Sequence, residues 1–361
     1  MLISTINTAQ IDKHSVFIIN NNNNNKQRKN MNNFKKIGLT ALAASLVSTS
    51  VFAGEMSVSG SASVAWENYS SPGTADANST ETNGTKAFSM GNQLTFTGSG
   101  EMDNGMTVGL SFVLDQGDNA ETADTPFDNH SVSISSDAMG TLVFHGEGGD
   151  SAQNAVGDTA AGNIWDNFDG RTTGNATLSE SNATTDMVHY TLPSMVDGLT
   201  LAASYVPAAA NDESDTAYAI TYAGIDGLSI SYGHGSANQA AGTASNADAT
   251  SIKASYVFGP VTVAYSDHEY DSATDTSDQD ATSWKVSYTV SDAISVSYGT
   301  ESLDSKATAD TSDAEYTKIV ASYTSGGMTV TATSAEAKDA LHGTAANQDK
   351  DYWSLGLSFA F

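Results

Sequence analysis

The chain has 361 residues and carries 14 Lys plus Arg against 42 Asp plus Glu, a formal charge of −28. That balance excludes nucleic acid and anionic membrane surfaces as partners. The absence of cysteine removes disulfides and thiolate metal sites, and the longest apolar stretch, residues 37–47, is too short to cross a bilayer as a helix.

From Met31 the sequence runs through Lys35 and Lys36, the apolar stretch 37–47 and the box Val51-Phe52-Ala53, which ends in a small residue. A basic start, an apolar centre and a small residue at the end describe a secretory signal peptide over 31–53. Residues 1–30, with the asparagine run 20–25, then lie upstream of a complete signal and read as a low-complexity extension or a mis-chosen start rather than a domain. Six of the basic residues and one acid precede Gly54, so the expected mature chain, 54–361, carries 8 basic and 41 acidic residues, a charge of 8 minus 41, or −33.

From Glu55 onward the apolar residues alternate with a period of two, beginning with Met56, Val58, Ala62, Val64 and Trp66, the pattern of strands with one apolar face. Leu94 and Phe96 lead into Asp103-Asn104-Gly105, and Met106, Val108, Leu110 and Phe112 lead out. Asn-Gly between alternating runs predicts a hairpin. Tight turns recur at 137–140, 197–198, 226–227, 259–260, 291–292 and 326–327, separated by long polar segments such as 68–86, 116–128, 236–249, 271–280, 301–313 and 336–349.

Short turns on one side and long loops on the other are expected when antiparallel strands shuttle across a layer. About sixteen strands of about eight to ten residues fit this rhythm, an even number suited to a closed antiparallel transmembrane β-barrel. The alternative all-β reading is a secreted β-rich adhesin or surface protein. The phase favours the barrel: Leu199, Leu201, Tyr205, Ile230, Val263, Tyr265, Trp284, Val286, Tyr288, Val296 and Tyr298 fall on one face, and Ser204, Ser229, Ser231, Ser266, Ser287, Ser295 and Ser297 on the other. A face of serines suits a water-filled lumen.

The last strand alternates Trp353, Leu355, Leu357, Phe359 and Phe361 with small residues. With the signal peptide, the 94–114 hairpin and the 132–147 stretch, it makes the mature chain resemble the general porins of Gram-negative outer membranes, most of all those of non-enteric proteobacteria. The resemblance implies a sixteen-stranded barrel in the outer membrane that passes ions and small hydrophilic solutes, forms a homotrimer, contacts outer-membrane lipid, and is inserted by the barrel-assembly machinery reading Trp353 to Phe361. A substrate-specific channel is the variant of this reading.

The resemblance also implies a third extracellular loop that folds inward and narrows the pore. The third long segment here runs over 147–186 and carries Glu147, Asp150, Asp158, Asp166, Asp169 and Glu180, with Trp165 and Phe168 to pin it and Arg171 beside them. Lys253, Lys285 and Lys318 fall on lumen phases of three strands and are expected to face this acidic loop across the constriction, where opposed charges set up a transverse field. The family's arginine cluster is missing from that wall. No nucleophile with its base points to an enzyme, no cofactor is expected, and weak Ca²⁺ binding by the acidic loops is the most a metal would find. Charge −33 against three lysines predicts mild cation selectivity.

Overall fold

The computed structural model describes Gly54 and residues 56–70, 86–115, 127–168, 178–180, 185–208, 214–238, 246–274, 277–307, 311–340, 342 and 349–361. The extension 1–30, the signal segment 31–53, Asp169 and Arg171 lie outside the described residues.

Sixteen strands follow in chain order: β1 (Met56–Ser70), β2 (Lys86–Glu101), β3 (Thr107–Asp115), β4 (Phe127–Ser136), β5 (Gly140–Glu147), β6 (Met187–Thr191), β7 (Leu199–Val206), β8 (Asp215–Ile225), β9 (Leu228–Ala237), β10 (Ala247–Phe258), β11 (Val261–Ser272), β12 (Gln279–Ser291), β13 (Ile294–Ser305), β14 (Ala314–Ser325), β15 (Met328–Lys338) and β16 (Lys350–Ala360). Each pairs with its chain neighbours, and β1 pairs with β16 to close the barrel. Closure leaves no unpaired sheet edge, the condition for crossing hydrocarbon.

At the seam the ladder runs from Ser61↔Ala360 to Ser70↔Asp351. It is extended by Gly60 N–H donating to Phe361 O at 2.8 Å and Phe361 N–H to Gly60 O at 2.9 Å. A side chain at 60 would meet the Phe361 ring, since a Cβ built there comes within 2.6 Å of it. The terminal aromatic residue thus lies across the seam on a glycine.

The strands form because alternate positions have different solvents. Trp66, Ile252, Val263, Tyr265, Trp284, Val286, Tyr288, Val296, Ile319, Trp353, Leu355, Phe359 and Phe361 are exposed on the outward phase, where lipid covers them. Register sorts the aromatic residues that sequence leaves unsorted: Tyr265 pairs with Trp284 toward the loop end, while Tyr288 pairs with Val261 beside the turn.

The short connections hold glycines with positive φ, among them Gly227 (φ 76), where a Cβ would collide with Val257 O. Several strands run further than the expected eight to ten residues; β13 continues to Ser305, into a stretch expected to be loop. The reason is physical. Above the lipid the outer face of a strand meets water, so outward apolar alternation stops while the hydrogen-bond ladder goes on.

Candidate functional site: the lumen constriction

The segment between β5 and β6, residues 148–186, supplies the barrel's inner structure. Its described residues contain two short 3-10 turns, Asn154–Val156 and Ile164–Phe168, and run along the inside of the wall. A chain segment leaving the sheet loses ladder partners for its N–H and C=O groups, and when buried these need others.

The wall supplies them with side chains. Ala152 N–H donates to Ser204 Oγ of β7 at 2.9 Å, and Gln153 Nε2 donates to Ser251 Oγ of β10 at 2.8 Å. Ala160 N–H donates to Ser266 Oγ of β11 (2.8 Å) and Ala161 N–H to Ser283 Oγ of β12 (3.0 Å). Glu301 of β13, 2% exposed, accepts from the Thr159 hydroxyl on one oxygen and from Ile164 N–H on the other. Lys253 Nζ donates to Asp158 O at 3.0 Å and Lys318 Nζ to Gly162 O at 3.1 Å. Each ordinary bond contributes about 0.5–1.5 kcal/mol, and those to charged groups about 1.5–3.

The turn 158–164 is also tied to itself. Thr159 N–H donates to Asn163 Oδ1 (3.0 Å) and Asn163 N–H to Thr159 Oγ1 (2.8 Å). Asn163 holds φ 45, a left-handed conformation that asparagine tolerates better than most residues. Asn163 Nδ2 reaches Asp158 Oδ1 at 3.2 Å, which leaves Asp158 exposed above the turn.

Beyond the turn the loop is held by apolar packing. Ile164, Trp165 and Phe168 are buried with Ala281, Leu303, Ala314, Tyr316, Ala335 and Tyr352. The Phe168 ring lies 6.0 Å from Tyr316 and 6.2 Å from Tyr352, and Trp165 lies 6.3 Å from Tyr316. Trp165 and Phe168 therefore pin the loop to the wall. The many alanines of the upper lumen wall let the loop lie close. Gly299 goes further: a Cβ there would come within 2.7 Å of Ala161 Cβ.

The sequence-predicted acids separate. Asp158 and Asp166 stand exposed on the loop beside this cradle. Asp150 accepts from Asn154 Nδ2 at 2.9 Å nearer the loop's start. Glu147 ends β5, 4.0 Å from His130 Nδ1. Glu180, 4% exposed, is packed where a Cβ on Gly235 would otherwise sit, and burial pushes its carboxyl above the usual range.

The lysines are gathered, but not where opposition to the loop required them. Lys285 and Lys318 both pair with Gly299 in register, while Lys253 lies in the row of Ser266, Ser283 and Glu301. Lys253 and Lys318 touch the loop itself, and Lys285 stands between them on β12 of the same wall. The described loop residues touch β4–β6 at the loop's start and pass on from β7 to β16, which leaves β1–β3 as the facing wall. Among the described residues, the inward phases of β1–β3 carry Glu67, Glu101 and Asp115 and no Lys or Arg, while His145 and His189 lie inward on β5 and β6.

Glu301 and the serine row were missed as loop partners. Phase alone marks Glu301, which continues the inward series Ser295, Ser297, Gly299; the polar run after Thr300 hid it.

A family model for Gram-negative porins matches residues 38–324. The chain belongs to the Gram-negative porin family. It is an outer-membrane porin, and both family and fold describe a channel. No curated protein matches the chain. Among solved structures, the porin is similar to an anion-selective porin from Comamonas acidovorans at 16% identity and TM-score 0.60, covering 85% of this chain and 99% of that one. A mutant porin of Rh. blastica matches at 18% identity and TM-score 0.59, covering 85% and 100%. A loop-deleted outer membrane protein of Vibrio cholerae, OmpT, matches at 14% identity and TM-score 0.65, covering 86% and 100%. At these identities the likeness is one of fold.

Proposed function

We propose that the porin is a passive diffusion channel that prefers cations, constricted by residues 148–186. The observation that carries this is the charge distribution around the opening. Asp158 and Asp166 are exposed on the loop, the inward phases of β1–β3 offer Glu67, Glu101 and Asp115 and no Lys or Arg among the described residues, and two of the three lysines donate to loop carbonyls. A passage bordered mainly by carboxylates concentrates cations and lowers their barrier. The net charge of the expected mature chain acts in the same sense in the vestibules.

The channel works by exclusion and field rather than by chemistry. The wall holds the loop, the loop sets the width, and exposed carboxylates bias which ions enter. We further propose that the porin is exported by cleavage after Ala53, assembles as a homotrimer, and is inserted through recognition of Trp353, Leu355, Leu357, Phe359 and Phe361, which lie on the lipid side of the closing strand.

The test is reconstitution in a planar bilayer under a salt gradient. A reversal potential on the cation side is expected, and it should move toward zero when Asp158 and Asp166 are changed to Asn. An anion preference, the property for which the Comamonas porin is named, would overturn the reading.

A further inference from the structure

The three lumen lysines are differently employed. Lys253 and Lys318 grip the two carbonyls that flank the constriction turn, Asp158 O and Gly162 O. Each also has negative charge beside it, Lys253 from Asp158 and Lys318 from Glu301 and Asp166. Lys285 differs on both counts. Among the described residues it makes no hydrogen bond or ion pair, and its partners in register are Ala264 and Gly299, which bring no acceptor side chain. The other two ammonium groups are close enough to repel it. It is partly exposed, and it sits in register with Gly299, the glycine on which Ala161 presses.

We propose that Lys253 and Lys318 are positioning residues that hold the constriction turn by its carbonyls, and that Lys285 is the specificity-determining cation met by permeating ions. The division rests on the constriction reading above and goes beyond it. The carbonyl-bound pair direct their ammonium groups at the loop backbone. Lys285 donates to no loop carbonyl, so its charge restrains the cation preference set by the exposed acids and gives small anions a foothold.

The experiment records single channels of the mature porin and of Lys→Met and Lys→Arg variants at each of the three positions, after checking that each barrel folds by its heat-modifiable migration on a gel. K285M should raise the cation-to-anion permeability ratio about two- to five-fold, the range for one charge a few ångströms from an ion in water, with open-channel noise and closing voltage unchanged. K285R should restore the parent ratio. K253M and K318M should raise noise and lower the closing voltage while moving the ratio less than K285M does, and K253R and K318R should be quiet.

A K285M channel as noisy as K253M, or a K253M ratio shifted as far as that of K285M at parental noise, would overturn the division of roles. A parent channel that prefers anions would overturn the constriction reading itself. A cation-preferring parent with the wrong pattern of variants sinks only the assignment of the lysines.

Discussion

The two halves of β13 carry one alternation and meet different surroundings. Above Gly299, Glu301 and Leu303 are 2% and 1% exposed beneath the loop, while below it Ser295 and Ser297 open to the lumen. Neighbouring strands repeat the contrast: Ala281 and Ser283 against Ser287 on β12, Ala314 and Tyr316 against Ser322 on β14. The same lumen face is thus a protein core in its upper half and a water channel in its lower half. Inward phase alone does not make a residue pore-lining, because a folded-in loop can convert part of the lumen into an interior.

Removing the loop's fully buried aromatic anchor should break the contrast most severely. Phe168→Ala empties a fully buried site, at a cost of about 3–5 kcal/mol of loop docking. The barrel should keep its heat-modifiable folded form while the 148–186 loop becomes protease-sensitive and the single-channel conductance rises. Unchanged conductance with a cut loop would show that the loop does not limit flow.

Glu301→Ala should come next, because it leaves the Thr159 hydroxyl and Ile164 N–H without their acceptor, about 1–3 kcal/mol for each buried group. Current noise and loop proteolysis read the effect. Gly299→Val and Ser297→Val sharpen the boundary between the halves. The first drives a side chain against Ala161, costing about 1–3 kcal/mol by overpacking. The second, two residues lower on the same face, should stay within about 0.5 kcal/mol, as measured by the temperature at which the folded gel form is lost.

The smallest effect concerns acidity. Glu180 is buried with Ser151, Ser179 and Asp215 near it, and its carboxyl titrates above the usual range chiefly through burial. The docked loop therefore holds a proton that the free loop releases earlier. Docking is favoured below the free carboxyl's range, and the advantage fades as pH rises through the shifted value. Hydrogen exchange at residues 178–180, compared between about pH 4 and 7, should show weaker protection at the higher pH, and Glu180→Gln should flatten the difference.

Much of this was legible in the sequence. Alternation predicts the strands, Asn104-Gly105 and its counterparts predict the turns, and the regular exchange of short turns with long loops predicts closure. Each is a local consequence of backbone period and turn chemistry. The loop bounds were equally readable, since β5 ends at Glu147 and β6 starts at Met187, and so was the pinning by Trp165 and Phe168. The wall lysines were readable as phase.

What phase does not encode is which wall the loop lies on. That choice depends on contacts between residues more than a hundred positions apart, such as Thr159 with Glu301 and Gly162 with Lys318. The amino-acid sequence by itself determined the barrel, its lipid face and its acidic surface, because these follow from side-chain period and charge. Only the tertiary structure decided that the serines of β7, β10, β11 and β12 hold a loop, that Glu301 is buried beneath it, and that two lysines bind its backbone. Those roles follow from packing the loop onto one side of the lumen, where every buried backbone group had to find a partner.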